Sequence, residues 1–449
     1  MKDKIFEYLK SKGKILILGF GREGKSTYNL IRSIDSTITI GIADLKEITD
    51  EKVLSDSNVV LHIGDNYLDS CSSYDVIIKG PGVIIKDYLP EEVRNKITCQ
   101  TDLFVKFCSA KMIGITGTKG KSTTSSLMYH ILKNIGKKTV LMGNIGIPVF
   151  DTIDDIDDDT ICVMELGCHQ LEYMKNSPNI SVVLNIYEEH LDHYLSMQHY
   201  VDSKKNIYKY QSKNDYVLLG NSSYLNDKDI ISTVIRNDEF SSNRFYLNNS
   251  ELVISYKSNT IHIPKDSIIT KLKGEHNLFN ILVCLTIINI LGFDIDESIK
   301  TIESFDGLHH RMECVGTFDG VTYYDDSIAT SIPSVIYAVK SLERVDTIII
   351  GGMDRGLDYT DLVNYLNESS VNNILLLPDT NKRIHELFTD SSKNIVDVKD
   401  MVEAVSIAKE VTEKGKICLL SPAAASYGFY KNFEERGDHF TSLVKENNS

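Results

Sequence analysis

The chain has no tryptophan, no Cys-x-x-Cys pair and no tandem repeat. No apolar run approaches the ~20 residues that a membrane-spanning helix requires, so no membrane span is expected. Positive charge is also scarce. Against 63 acidic residues stand 48 Lys and Arg, a net charge of −15, which argues against a general nucleic-acid binder because such a binder needs a basic face. The lysine-rich start, MKDKIFEYLKSKGKILILGF, has neither the hydrophobic region nor the cleavage site of a signal peptide. Its one apolar run, ILILGF, reads as a buried strand. The cysteines, at 71, 99, 108, 162, 168, 284, 314 and 418, lack zinc-ligand spacing; a reduced, cytoplasmic setting without structural zinc is expected. At 449 residues and 42% hydrophobic, the chain is too long for one ordinary core, and two or three globular domains are expected.

Apolar strand-like runs alternate with helical stretches almost throughout, which predicts α/β architecture with largely parallel sheets. Three blocks emerge, read as domains 1–100, 101–307 and 308–449. The first opens with KILILGFGREGKSTYNLIRSI, a strand entering Gly19-Phe20-Gly21-Arg22-Glu23-Gly24 and then a helix. The next strand ends at Asp44, where a dinucleotide fingerprint places its acid. In the second block the strands KTVLMGNIG, TICVMELGCHQ and SVVLNIYEEHLDHY each end in polar residues, where open α/β sheets hold ligands. The third block has the strands GVTYYDDS, VDTIIIGGMD, NNILLLP and GKICLLSPAAASYG.

The stretch KMIGITGTKGKSTTSSLMYHILKN carries the chemistry. Gly117, Thr118, Lys119, Gly120, Lys121, Ser122 and Thr123 follow a strand and open a helix with Leu127, Met128, Ile131 and Leu132 on one face. That context suits a phosphate site: glycines let backbone N–H groups turn inward, and the helix N-terminus adds positive potential. Lys121 can reach terminal phosphates and Ser122 can ligate Mg²⁺. The alternative is a glycine turn with a surface lysine, and the strict phosphate-loop pattern wants glycine where Ile115 stands. Glu165 ends one following strand; Glu188, Glu189, His190, Asp192 and His193 cluster at the end of the next, a donor set suited to Mg²⁺ and phosphate.

Taken as a unit, Thr116-Gly117-Thr118-Lys119-Gly120-Lys121-Ser122 resembles the Mur ligase family, whose loop also lacks that first glycine. The resemblance extends over the chain in three-domain order. It implies a Rossmann-like UDP-binding domain, a central phosphate-loop ATPase-type domain with a parallel sheet and a Rossmann-like C-terminal domain. ATP would be held by residues 117–123, by Asn277 and Asn280 in GEHNLFN, and by Arg311 and Asp326. Two Mg²⁺ ions are implied, on Ser122 and Glu165 and on His190 and Lys204, the latter carbamylated as in the family's Lys-x-x-Ile-Tyr stretch. The first domain would cradle UDP with Gly19, Phe20, Gly21, Arg22, Asp44, Leu45, Lys46 and Gly82, while Asn144 and Gln170 meet the sugar and lactoyl end. LLSPAAASYGFYKNFEERGDHF resembles the C-terminal stretch of the members that add glutamate, which puts Ser426 and Phe433 on its α-carboxylate and Thr330 and Arg355 on its side-chain carboxylate. A guanidinium at 355 suits two-point grip of a carboxylate.

The implied reaction is ATP-dependent addition of D-glutamate to UDP-N-acetylmuramoyl-L-alanine in peptidoglycan precursor synthesis. The acceptor carboxylate attacks the γ-phosphate, the glutamate nitrogen attacks the resulting acyl phosphate, and orthophosphate leaves. Lys121, His190 and Lys204 are the catalytic set; His190 and Glu189 are candidates for deprotonating the amine. A monomer without nucleic-acid partners is expected. Three departures from the family pattern stand out: Gly167-Cys168 for two serines after Glu165-Leu166, Ile328 for a lysine, and His309 for a proline. The first two leave L-glutamate or another UDP-muramoyl acceptor as alternatives. A nicotinamide-binding oxidoreductase or sensor using GFGREG, and a silent nucleotide-binding regulator, are the alternatives of other classes.

Overall fold

The computed structural model describes residues 1–446 except 86, 87, 146, 190–192, 226, 227, 273, 390 and 391. It is a mixed α/β chain with three parallel-rich sheets in two compact units: Met1–Thr270 with Glu275–Phe305, and Lys271–Gly274 with Asp306–Ser449.

The first unit holds two sheets. Strands β1 (Ile15–Leu18), β2 (Ile40–Asp44), β3 (Val59–Ile63), β4 (Val76–Lys79) and β5 (Ile97–Thr98) form a wholly parallel sheet in the order β3-β2-β1-β4-β5. The chain winds outward from β1 in one direction and resumes on its other side at β4, which opens a crevice at the carboxyl ends of β1 and β4. β1 is Ile-Leu-Ile-Leu because both its faces are covered: Ile15 and Ile17 join one apolar cluster and Leu16 and Leu18 another. Only glycine fits at position 24. A Cβ there would lie 2.1 Å from Gly19 O, so the helix Arg22–Ile34 sits directly on the turn that leaves β1.

The second sheet runs β14-β13-β12-β11-β10-β9-β6-β8-β7, built from β6 (Lys111–Thr116), β7 (Thr139–Gly143), β8 (Ile161–Glu165), β9 (Ile180–Val183), β10 (Tyr216–Leu219), β11 (Thr233–Arg236), β12 (Arg244–Leu247), β13 (Glu251–Tyr256) and β14 (Asn259–Pro264). It is parallel from β7 to β12; β13 and β14 add an antiparallel edge that the sequence reading did not identify. The helix after the glycine loop spans Lys121–Asn134 and buries the expected face, Leu127, Met128, Ile131 and Leu132. Against it lies the helix Glu275–Leu291, apolar almost all round and buried from Asn280 to Ile288.

The other unit has β15 (Glu313–Phe318), β16 (Val321–Asp325), β17 (Val345–Gly351), β18 (Asn373–Leu377), β19 (Asn394–Asp397) and β20 (Ile417–Leu420) in the order β15-β16-β20-β17-β18-β19, parallel apart from the β15–β16 pair. Alternate residues enter different clusters: Ile348, Ile350, Ile374 and Leu376 on one face, Ile349, Leu375 and Leu377 on the other. Among the described residues no helix is long and apolar enough to cross a membrane.

Candidate active site

In the first unit the candidate residues gather at strand ends, as the polar bursts suggested. At the first sheet, the Asp44 carboxylate accepts from Phe20 N at 2.7 Å and from Lys46 N at 2.9 Å, so it ties the loop after β1 to the loop after β2. Gly21, Arg22 and Leu45 around it are exposed, as is Gly82 in the loop after β4. A ligand resting there would meet backbone, one carboxylate and the start of a helix.

At the second sheet, the loop after β6 folds over its own lysine. Gly120 has φ +87°, a left-handed conformation, and precedes the first residue of the helix. The Lys121 ammonium donates to Gly117 O at 2.9 Å and Thr118 O at 3.0 Å. Ser122 and Thr123 follow, half-buried in the first turn. Asn185, at the end of β9, braces the loop: its side-chain oxygen accepts from Lys119 N at 2.8 Å and its amide donates to Lys119 O at 3.1 Å. Thr118 Oγ1 lies 2.9 Å from Tyr200 Oη. Lys119 Nζ pairs with Glu189 at 2.8 Å. Asn280 packs under Gly120 and donates to Asn277 Oδ1 at 3.1 Å.

Two groups there are unusual. Lys204, 1% exposed, donates to Gly117 O at 2.8 Å, so both lysines converge on one carbonyl. Burial, and next the like charge of Lys121, lowers its pKa from 10.5 to about 7. Burial also lowers the pKa of Lys121, against the opposing pull of Glu165 and Glu189. Glu165 is buried at the end of β8. Its Oε1 accepts from Asn144 Nδ2 at 2.6 Å, and Oε2 has no hydrogen-bond partner among the described residues. A buried carboxylate oxygen left open beside a phosphate-type loop is suited to a hard divalent cation, which prefers oxygen donors. His190, expected in the same place, lies outside the described residues.

Gln170 was expected at the sugar. Its Nε2 donates to Glu23 Oε1 at 2.6 Å and its Oε1 accepts from Gly167 N at 3.0 Å, so both ends of the amide join the loop after β8 to the helix after β1. Sequence reasoning missed Asn185, Tyr200 and the buried Lys79 and Glu172, which take up His193 of the expected polar cluster: Glu172 Oε2 lies 3.6 Å from Lys79 Nζ and 3.2 Å from His193 Nε2. Asn185 could have been found as the first polar residue after β9; Tyr200 and Lys79 carry no such signal.

In the second unit the remaining candidates lie at the ends of β16, β17 and β20. Asp326 is buried; it accepts from Met312 N at 3.2 Å and Ser421 Oγ at 2.8 Å, and burial pushes its pKa from 3.8 up to about 7. Arg311 is half-buried, its Nε without a partner among the described residues. The loops carrying Thr330, Arg355 and Ser426 are stitched together: Ala423 N donates to Ala329 O at 2.9 Å and Met353 N to Ala425 O at 2.9 Å. Arg355 is exposed, Ser426 buried and Phe433 half-buried, edge-on to His310.

Comparisons with known proteins give the family. The Mur ligase middle domain matches residues 115–288, and the Mur ligase glutamate ligase domain matches residues 310–424. The UDP-N-acetylmuramoylalanine–D-glutamate ligase of Clostridium botulinum is 35% identical over 461 aligned positions, covering 98% of each chain. The fold resembles the UDP-N-acetylmuramate–alanine ligase MurC of Thermotoga maritima (TM-score 0.59, 18% identity, 96% of this chain and 99% of that one). It also resembles MurF of Acinetobacter baumannii (TM-score 0.62, 15% identity, 91% and 92% covered). On these matches, and on the loop and strand-end geometry that accompanies them, the chain belongs to the Mur ligase family.

Proposed function

We propose that this chain is the ATP- and Mg²⁺-dependent ligase that joins D-glutamate to UDP-N-acetylmuramoyl-L-alanine in peptidoglycan precursor synthesis. The observation that carries the reading is the full-length likeness to the Clostridium botulinum ligase of that name. Family membership sets aside the nicotinamide reading of the first loop. A monomeric, cytoplasmic enzyme belongs to the same reading, as do three domains with boundaries near 100 and 307.

In this reading Gly19, Phe20, Gly21, Arg22, Asp44, Leu45, Lys46 and Gly82 receive UDP. Asn144 and Gln170 meet the sugar and lactoyl end of the acceptor, and Gln170 also ties the loop after β8 to the helix after β1. The loop 117–123 wraps the ATP phosphates, Asn277 and Asn280 serve the adenine, and Arg311 and Asp326 are further nucleotide-binding residues. Ser122 and Glu165 would hold one Mg²⁺, and His190 with carbamylated Lys204 a second; bound there, the ions neutralise phosphate charge. The protein's task is positioning and charge stabilisation while the acceptor carboxylate displaces ADP from the γ-phosphate. The glutamate amine, freed of its proton by His190 or Glu189, then attacks the acyl carbon, and phosphate leaves. Thr330, Arg355, Ser426 and Phe433 hold the glutamate.

The test is phosphate release from ATP and Mg²⁺ with the UDP-linked acceptor and each glutamate enantiomer in separate reactions. Release with D-glutamate alone is expected. Release with L-glutamate alone would mean that Gly167 and Ile328, where the family pattern has serine and lysine, mark a pocket of opposite handedness. Silence with both, from folded protein that binds ATP, would refute the acceptor assignment.

A further inference from the structure

The helix Phe433–Lys445 carries a buried cation that the reaction as described does not use. Arg436 is 1% exposed. Its guanidinium donates from Nε to Ser327 Oγ at 3.0 Å, from Nη2 to Ser327 O at 2.7 Å and from Nη1 to Ala424 O at 3.0 Å. All three acceptors are neutral. The acid whose charge it senses, Asp325, gives one oxygen to His310 Nδ1 at 2.7 Å and the other to Ser327 N at 2.9 Å. A buried cation without a carboxylate partner is costly, and an apolar side chain of similar volume would serve the fold as well or better. The arrangement therefore calls for a role beyond packing.

That role is visible in what the three bonds join. Ser327 follows Asp326 and lies three residues before Thr330; Ala424 lies two before Ser426. Gly352, three residues before Arg355, leaves room for the guanidinium, since a Cβ there would sit 3.2 Å from Nη1. Ser327 Oγ in turn donates to Phe433 O at 2.8 Å. One side chain thus bridges the loops that carry Thr330 and Ser426 and packs against the one that carries Arg355. Resting on the proposed function above, we propose that Arg436 is a positioning residue for the amino-acid pocket. Its three-pronged fork holds the Ser327 and Ala424 loops at the separation that lets Thr330 and Ser426 meet the two carboxylates of the incoming glutamate.

Lysine keeps the charge but cannot reach three acceptors in a plane. Arg436→Lys and Arg436→Met are therefore both expected to raise the KM for D-glutamate about tenfold to a hundredfold, with the KM for the UDP-linked acceptor unchanged. In Arg436→Ala, added guanidinium should lower the glutamate KM again, and methylammonium should not. Should the methionine variant fail to fold, the lysine variant and the guanidinium rescue carry the test. Folded variants that lose only melting temperature or kcat, with the glutamate KM within about twofold of wild type, would overturn the positioning role alone. A wild-type chain that releases phosphate with neither enantiomer would overturn this inference together with the function it rests on.

Discussion

Lys121→Ala is expected to fold normally and to lose turnover by about a thousandfold or more, roughly 4 kcal/mol of transition-state stabilisation. The two halves of that expectation have separate grounds. The ammonium contacts only Gly117 O and Thr118 O within the loop, and Gly117 O keeps a second donor in Lys204 Nζ at 2.8 Å. One carbonyl loses its partner, which costs about 1 kcal/mol. In the proposed reaction, by contrast, the transferring phosphoryl group would lose the one cation that the first turn of the helix Lys121–Asn134 brings to it. Lys121→Arg should be nearly as poor, since a planar fork cannot replace a point charge inside a tight glycine loop. Phosphate release and thermal melting on the same preparation check both halves. Turnover within about tenfold of wild type would remove Lys121 from phosphoryl transfer.

Much of this site was readable because its signals are local. The glycine loop and the apolar face of the following helix occupy one short stretch, and the structure returns both where the pattern put them. The alternation that assigned β1, β6, β8 and β17 reflects burial on both faces, which any nearly continuous run of Ile, Leu and Val reports. What escaped depends on contacts distant in sequence. Arg436 stands in the charged stretch NFEERGDHF, where nothing local marks it for burial; Gly352 and Ser327, far from it in sequence, make room for the guanidinium and bind it. The bond from Gln170 to Glu23, 147 residues away, was equally invisible in the sequence. The β13–β14 edge was missed because YKSN between its strands is a turn with left-handed Lys257 and Ser258, residue types that carry no glycine signal.

Lys204→Ala should be the other near-complete loss, and the wild-type enzyme should depend on dissolved CO₂. Only the uncharged amine attacks CO₂, and an ordinary lysine with a pKa near 10.4 is uncharged in roughly one molecule per thousand at about pH 7.4. With its pKa lowered to about 7, Lys204 has a far larger uncharged share at the same pH. The cause is structural: the ammonium is 1% exposed and sits beside the like charge of Lys121. Linkage gives the sign for stability. Between the folded pKa of about 7 and the unfolded 10.5, the unfolded chain binds more protons, so the stability of the unmodified protein rises with pH through that window. Lys204→Met should lack this rise. Carbamylation follows the same direction, because it consumes the uncharged amine. Enzyme dialysed into CO₂-free buffer at about pH 6 should lose most of its phosphate release and regain it on adding bicarbonate at about pH 8. Labelled bicarbonate should give a carbamate carbon resonance in wild type and none in Lys204→Ala. Activity indifferent to CO₂ would leave Lys204 as a buried brace on Gly117, and the metal assigned to its carbamate would then need another ligand.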